Sequence, residues 1–193
     1  MDLAVILTYR CNSKCSMCHI WQNPTIKKEE VSLATLAKIP AGIDYLNLTG
    51  GEPTLREDLT EIVDLLYPKA MQLEISSNGL HPERLEPIVR KYPCIKVRFS
   101  LDGMGVVNDR VRGEKDGFRT KVEWMRLLKE IGGKDLGFGS VIQDDNAENL
   151  LKLFKLARSQ GVEFATSALH NGFQFHKNDN YPYDADLTSL GQL

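Results

Sequence analysis

The chain predicts an α/β fold in which six parallel strands curl into a partial (β/α)6 barrel around a polar lumen. Two observations carry this expectation. Strand-like and helix-like segments alternate almost without interruption along 193 residues, as repeated βα units with right-handed crossovers do. Several strands also alternate apolar residues with polar ones or glycine, whereas a parallel strand covered on both faces reads as a continuous apolar run. One helix-packed face and one polar face suit an open barrel better than the alternative, a flat doubly wound sheet.

Strands are expected over residues 3–8, 45–49, 71–77, 95–101, 136–142 and 162–166. In the third, Gln72, Glu74 and Ser76 oppose Leu73 and Ile75. In the fourth, Lys96, Arg98 and Ser100 oppose Val97, Phe99 and Leu101, and in the fifth Gly137 and Gly139 oppose Leu136 and Phe138. The polar sets belong to the lumen. Between the strands, apolar residues recur at helical spacing: Leu59/Ile62/Val63/Leu66, Leu85/Ile88/Val89/Tyr92 and Leu150/Leu153/Phe154/Ala157. Another helix spans about 118–131, and a short one starts after Ser32, a suitable N-cap. Gly132 and Gly161 stand where C-terminal glycine caps belong. Six such units leave the barrel open, unlike the closed eight-fold one.

Residues 1–167 form the expected core. The tail 168–193, with His170, Asn171, Phe173, Phe175, His176, Tyr181 and Tyr183, is expected to pack on it or cover it as a lid. The chain is expected to be either a minimal core or a piece of a longer protein, and the start at the first strand and the character of this tail favour the second.

Formal net charge is −2, with both signs dispersed, so no basic stripe favours a nucleic-acid partner. No run of about 18 apolar residues suggests a membrane span. Four cysteines, three of them at ligand spacing, suit a reducing cytosol better than a disulfide framework. The fourth, Cys94, reads as a small core residue.

Chemistry concentrates where the strands end, the rim at which βα folds bind ligands. After the first strand come Cys11, Cys15 and Cys18, three thiols within eight residues. Thiolates suit zinc and iron–sulfur centres, and three protein ligands leave one coordination position for something reactive. Alternatives are a zinc site with His19 as fourth ligand and a cluster used only for sensing. Gly50-Gly51-Glu52-Pro53 follows the second strand, Ser76-Ser77-Asn78-Gly79 the third and Ser100-Leu101-Asp102-Gly103 the fourth. Each alone is an ordinary turn; four on one rim point to a site.

Cys11-x3-Cys15-x2-Cys18 followed by Gly50-Gly51-Glu52-Pro53 resembles the core of the radical S-adenosylmethionine superfamily. The segments Ser76-Ser77-Asn78-Gly79, Ser100-Leu101-Asp102-Gly103 and Asn108-Asp109-Arg110-Val111-Arg112-Gly113 match further positions, and the likeness is strongest to the branch of molybdenum-cofactor, haem and peptide-modifying enzymes. The resemblance implies that Cys11, Cys15 and Cys18 ligate three irons of a 4Fe–4S cluster whose fourth iron takes the amino and carboxylate groups of S-adenosylmethionine. It assigns Gly50, Gly51 and Glu52 to the methionyl ammonium. Ser76, Ser77, Asn78, Ser100 and Asp102 fall to the ribose and carboxylate, and Arg112 to the carboxylate. Val141 and Ile142 are assigned to adenine. Met17, where the family often has an aromatic residue, would meet adenine through its backbone. An external one-electron donor of flavodoxin or ferredoxin type would reduce the cluster, and a 5′-deoxyadenosyl radical would abstract hydrogen from a small molecule or peptide. The sequence does not identify that substrate, and no second cysteine cluster follows residue 18.

Overall fold

A computed structural model describes residues 1–169 together with His176 and Lys177. Six strands form one sheet in sequence order, every neighbouring pair parallel: β1 (Asp2–Thr8), β2 (Ile43–Gly50), β3 (Ala70–Ser77), β4 (Lys96–Ser100), β5 (Asp135–Ile142) and β6 (Glu163–Ala168). Unlike those neighbours, β1 and β6 do not pair with each other, so the barrel is open. The helices are α1 (Leu33–Leu36), α2 (Leu59–Leu66), α3 (Glu86–Lys91), α4 (Val106–Arg112), α5 (Gly117–Glu130) and α6 (Leu150–Gln160). Ser32 caps α1 by accepting from the Thr35 N–H, and Gly161 ends α6 in the left-handed conformation.

The strand alternation sorts the two faces. Leu73, Ile75, Val97, Phe99, Leu136 and Phe138 are buried in one apolar core with Ile62 and Val63 of α2, Ile88 of α3, Met125 of α5 and Leu153 of α6. On the other face, register aligns Asn47, Glu74, Lys96 and Asp135 in one layer and Ser76, Arg98, Gly137 and Glu163 in the next. These polar residues satisfy one another across the lumen. Arg98 pairs with Asp135 at 2.9 Å and with Glu163. Lys96 lies 3.8 Å from both Glu74 and Glu163, and Ser76 donates to Glu74 and Asn47 at 3.0 Å each. Gly137 leaves the space that the Arg98 guanidinium fills: a Cβ there would lie 3.1 Å from Arg98 Cζ. The buried charges among them, Glu74 and Arg98, are tolerated because each is paired.

Two expectations change. Cys94 is exposed, because the chain turns from Tyr92 to Ile95 before β4 begins and the thiol sits on that turn. The segment around Asn108 is itself a helix, α4, which the sequence reading treated only as a motif. Residues 170–175 and 178–193 of the expected tail lie outside the described residues; the His176 and Tyr9 rings meet in a T-shaped arrangement, the centroids 5.4 Å apart.

Neighbouring positions on β5 test the two-faced sheet. Phe138→Ala opens the helix-packed core and is expected to cost about 3–5 kcal/mol in chemical denaturation. A Cβ on Gly139 meets nothing within 4 Å, so Gly139→Ala should stay within about 0.5 kcal/mol of wild type. Equal costs would show that the strand faces are misassigned.

Candidate functional site

The strand ends converge on a pocket of about 210 Å³ containing all three thiols of the cysteine loop. Two backbone bonds hold that loop against the end of α4, from Lys14 N–H to Arg112 C=O and from Ser16 N–H to Val111 C=O, both 2.9 Å. Gly113 makes this approach feasible: it is left-handed (φ +59°), and a Cβ would lie 2.6 Å from the Lys14 carbonyl oxygen. Opposite, Gly51 N–H donates to Thr8 C=O at 2.7 Å and Glu52 N–H to Arg10 C=O at 2.8 Å. Any side chain at Gly51 would collide with the Arg10 carbonyl. The loop is thus clamped between β2 and α4.

Gly50, Gly51, Ser76, Ser77, Asn78 and Ser100 line the pocket, as do Arg112, Met17 and Val141. Met17 is buried with Cys15 and Val111, and Val141 and Leu169 pack beside them as an apolar wall. Asn78 donates its amide to Asn12 at 2.6 Å and lies 3.9 Å from Cys11 Sγ, an N–H···S contact. Ile142 lies outside the pocket, because consecutive strand residues point to opposite faces.

Two assigned carboxylates turn away from the pocket's thiols. Glu52 is fully buried and accepts from Thr54 N–H (3.0 Å), Thr54 Oγ1 (2.7 Å), Ser77 Oγ (2.8 Å) and Asn78 N–H (2.5 Å). It staples the end of β2 to that of β3. Asp102 accepts from Arg112 Nη1 at 2.6 Å, Val141 N–H at 2.7 Å and Ser140 Oγ at 3.3 Å, tying β4 to β5 and α4. It lines an adjoining cavity of about 240 Å³ with Ser100, Gly139, Ala165 and Ser167.

Arg112 is also held at Nε by Glu114, 3.2 Å away. Burial works against its charge, but Cys15, Asp102 and Glu114 outweigh that and raise its pKa, so the guanidinium stays protonated. Burial pushes the Cys11 thiol up to about 11, and the Cys15 and Cys18 thiols are raised for the same reason.

The sequence reading missed Ile20, Trp21, Thr49, Ser167 and Leu169 of the pocket wall, and Glu114 behind it. Trp21 matters most in the wall: its indole Nε1 is buried and has no hydrogen-bond partner among the described residues. Its place three residues past Cys18 was the available hint. Among the described residues, no three His, Cys, Asp or Glu side chains converge closely enough to hold a single metal ion, the geometry a mononuclear zinc centre needs.

The raised thiols set a pH dependence for the metal-free protein. For Cys11 the folded pKa of about 11 lies above the ordinary 9.0, so the folded state retains the proton longer. The stability it contributes is complete below pH 9 and lost as pH rises through about 11, roughly 3 kcal/mol for two units. Denaturation midpoints of wild type should fall more between pH 8 and 11 than those of Cys11→Ser. Parallel curves would show that the thiol is not desolvated.

Comparison with known proteins places these features in a family. The family model described as the radical SAM superfamily matches residues 5–157. A probable GTP 3′,8-cyclase from Saccharolobus solfataricus is 28% identical over 166 residues, covering 83% of this chain and 54% of that protein. The molybdenum cofactor biosynthesis protein moc-5 of Caenorhabditis elegans is 27% identical over 190 residues, covering 93% of this chain and 32% of its own length. The chain therefore spans about half the length, or less, of these curated relatives. Streptococcus suis SuiB, in a crystal structure with S-adenosylmethionine, superposes with a TM-score of 0.72 at 18% identity, over 98% of this chain and 45% of SuiB. Methylornithine synthase superposes at 0.69 with 16% identity, over 90% and 55% of the two chains. The structural likenesses confirm the partial-barrel fold, and by the family match the chain belongs to the radical SAM superfamily.

Proposed function

We propose that the pocket holds a 4Fe–4S cluster on Cys11, Cys15 and Cys18 with S-adenosylmethionine beside it, the cofactors of this family, and that the chain is the barrel core of an enzyme removing hydrogen from a substrate. The observation that carries the reading is one pocket uniting three thiols, a glycine-lined backbone edge, a protonated arginine and an apolar wall. When bound, the pair supplies one-electron cleavage of the sulfonium, giving methionine and a 5′-deoxyadenosyl radical that abstracts the hydrogen atom.

The residues fit those groups. The raised thiols must each lose a proton to ligate iron, so assembly releases protons and is favoured as pH rises. The Asn78 amide beside Cys11 sulfur would favour the reduced cluster, since hydrogen bonds to ligand sulfur help set its potential. Arg112 spends Nη1 and Nε on Asp102 and Glu114 and keeps Nη2 without a partner among the described residues, free for a carboxylate. The Glu52 carboxylate is engaged by Thr54, Ser77 and Asn78, while Gly50 and Gly51 line the pocket and offer backbone to an ammonium. Met17 and Val141 offer an apolar surface to adenine, and the orphan Trp21 indole N–H a donor to an acceptor on the bound ligand. Ser100, Gly139, Ala165 and Ser167 leave lumen space next to this site for a substrate, small molecule or peptide.

Reduction needs an external electron donor of flavodoxin or ferredoxin type, in keeping with a reducing cytosol. Among the described residues no helix is long and apolar enough to cross a membrane.

Anaerobic reconstitution with iron and sulfide, then reductant and S-adenosylmethionine, is expected to yield 5′-deoxyadenosine by mass spectrometry. Alanine at Cys11, Cys15 or Cys18 should abolish both this product and the reduced cluster's EPR signal, while Cys94→Ala keeps both. One zinc and no iron after reconstitution would overturn the reading.

A second expectation separates cofactor binding from folding. Arg112→Lys keeps the charge but loses the planar fork, so iron content should hold while the cofactor Kd rises about 10–150-fold, for about 1.5–3 kcal/mol of lost charged hydrogen bond. Arg112→Ala leaves the buried Asp102 without its cation and should cost about 3–5 kcal/mol of stability. An unchanged Kd in Arg112→Lys, measured calorimetrically, would remove Arg112 from the cofactor site.

A further inference from the structure

Four charged side chains run in file behind the cysteine loop with alternating sign: Asp102, Arg112, Glu114 and Lys121. The side chains of Glu114 and Lys121 are fully buried, those of Asp102 and Arg112 nearly so. Lys121 comes from the second turn of α5 and pairs with Glu114 Oε2. Burial lowers its pKa to about 8, with Arg112 adding to the effect against the pull of Glu114. Neither Glu114 nor Lys121 lines the pocket, and taking such a pair out of water is costly unless geometry requires it.

The geometry shows what it accomplishes. Glu114 Oε1 accepts from Arg112 Nε at 3.2 Å and from Ser13 Oγ at 2.6 Å. Ser13 is fully buried and lies between Cys11 and Cys15, 101 residues from Glu114 in sequence. One oxygen therefore holds both the thiol loop and the guanidinium. Its partner Oε2 is fixed by Lys121 and, at 3.4 Å, by Asn108 Nδ2, so the carboxylate cannot turn to serve one side alone.

We infer that Glu114, braced by Lys121, is a positioning residue that couples the cysteine loop to the Arg112 subsite, so that cofactor binding and cluster retention reinforce each other. This rests on the reading that Arg112 takes the cofactor carboxylate. Linkage makes the coupling reciprocal: an ordered loop aims Arg112, and a ligand on Arg112 steadies the loop through the shared oxygen.

Two measurements on the anaerobically reconstituted full chain test this: calorimetric Kd for S-adenosylmethionine, and the rate of iron loss to a chelator with and without it. Wild type should lose iron about 10-fold more slowly with the cofactor, within the usual range for coupled sites. Glu114→Met/Lys121→Met replaces the pair by apolar side chains of similar length; it should bind about 10-fold more weakly and lose most of that protection. Glu114→Gln/Lys121→Met keeps a carbonyl oxygen for Ser13 and Arg112 and should recover most of both. Ser13→Ala, which cuts only the loop's bond to Glu114, should lose protection even if the double methionine variant fails to fold. Protection equal to wild type in Ser13→Ala, or equal protection and Kd in a folded double methionine variant, overturns the coupling alone. A wild-type chain that binds no S-adenosylmethionine overturns the functional reading and the coupling with it.

Discussion

The docking of the cysteine loop on the C-terminal end of α4 is the contact on which the rest of the site depends. Lys14 and Ser16 donate their backbone N–H groups to the Arg112 and Val111 carbonyls, which the helix itself leaves unsatisfied at its end. Those two bonds place three thiols at the mouth of the barrel and, in the same stroke, set Arg112 beside them. Only glycine at position 113 permits so close an approach.

Around that contact the buried charges are matched. At the lumen floor, Arg98 and Lys96 meet Asp135, Glu163 and Glu74; at the rim, Arg112 and Lys121 meet Asp102 and Glu114. Such networks contribute little net stability, because desolvation offsets most of the attraction. Their effect is geometric: each carboxylate ties together elements distant in the chain, and each cation has few orientations available. Glu52 works likewise with uncharged donors, joining the ends of β2 and β3. A site whose chemistry belongs to its cofactors needs rigid placement and exclusion of water above all.

The structural neighbours share the barrel at 18% and 16% identity, in keeping with one scaffold carrying very different sequences. In this chain the thiols share their pocket with glycine backbone, small hydroxyls, the Asn78 amide, one arginine and an apolar wall. Lumen residues such as Ser100, Gly139 and Ala165 leave space instead of filling it.

The sequence by itself determined whatever depends on local order. Alternation in Gln72–Ser77 and in Lys96–Leu101 revealed which face meets helices, and helical spacing located the cores of α2, α3, α5 and α6. The spacing of Cys11, Cys15 and Cys18 and the glycine-rich end of β2 carried the family resemblance that implied the cofactors, because a loop's ligand set and a turn's backbone demands are short-range properties. Tertiary structure alone decided the pairings. That Glu52 and Asp102 spend their carboxylates on neighbouring strand ends, that Val141 and not Ile142 enters the pocket, and that Cys94 lies on an exposed turn follow from register and turn geometry. Glu114 was the least legible of all. Ser13, 101 residues away, meets it only because parallel strands bring the loops after β1 and β4 to one rim, and although Lys121 is seven residues on, no periodicity along the chain encodes which buried charges will face each other there.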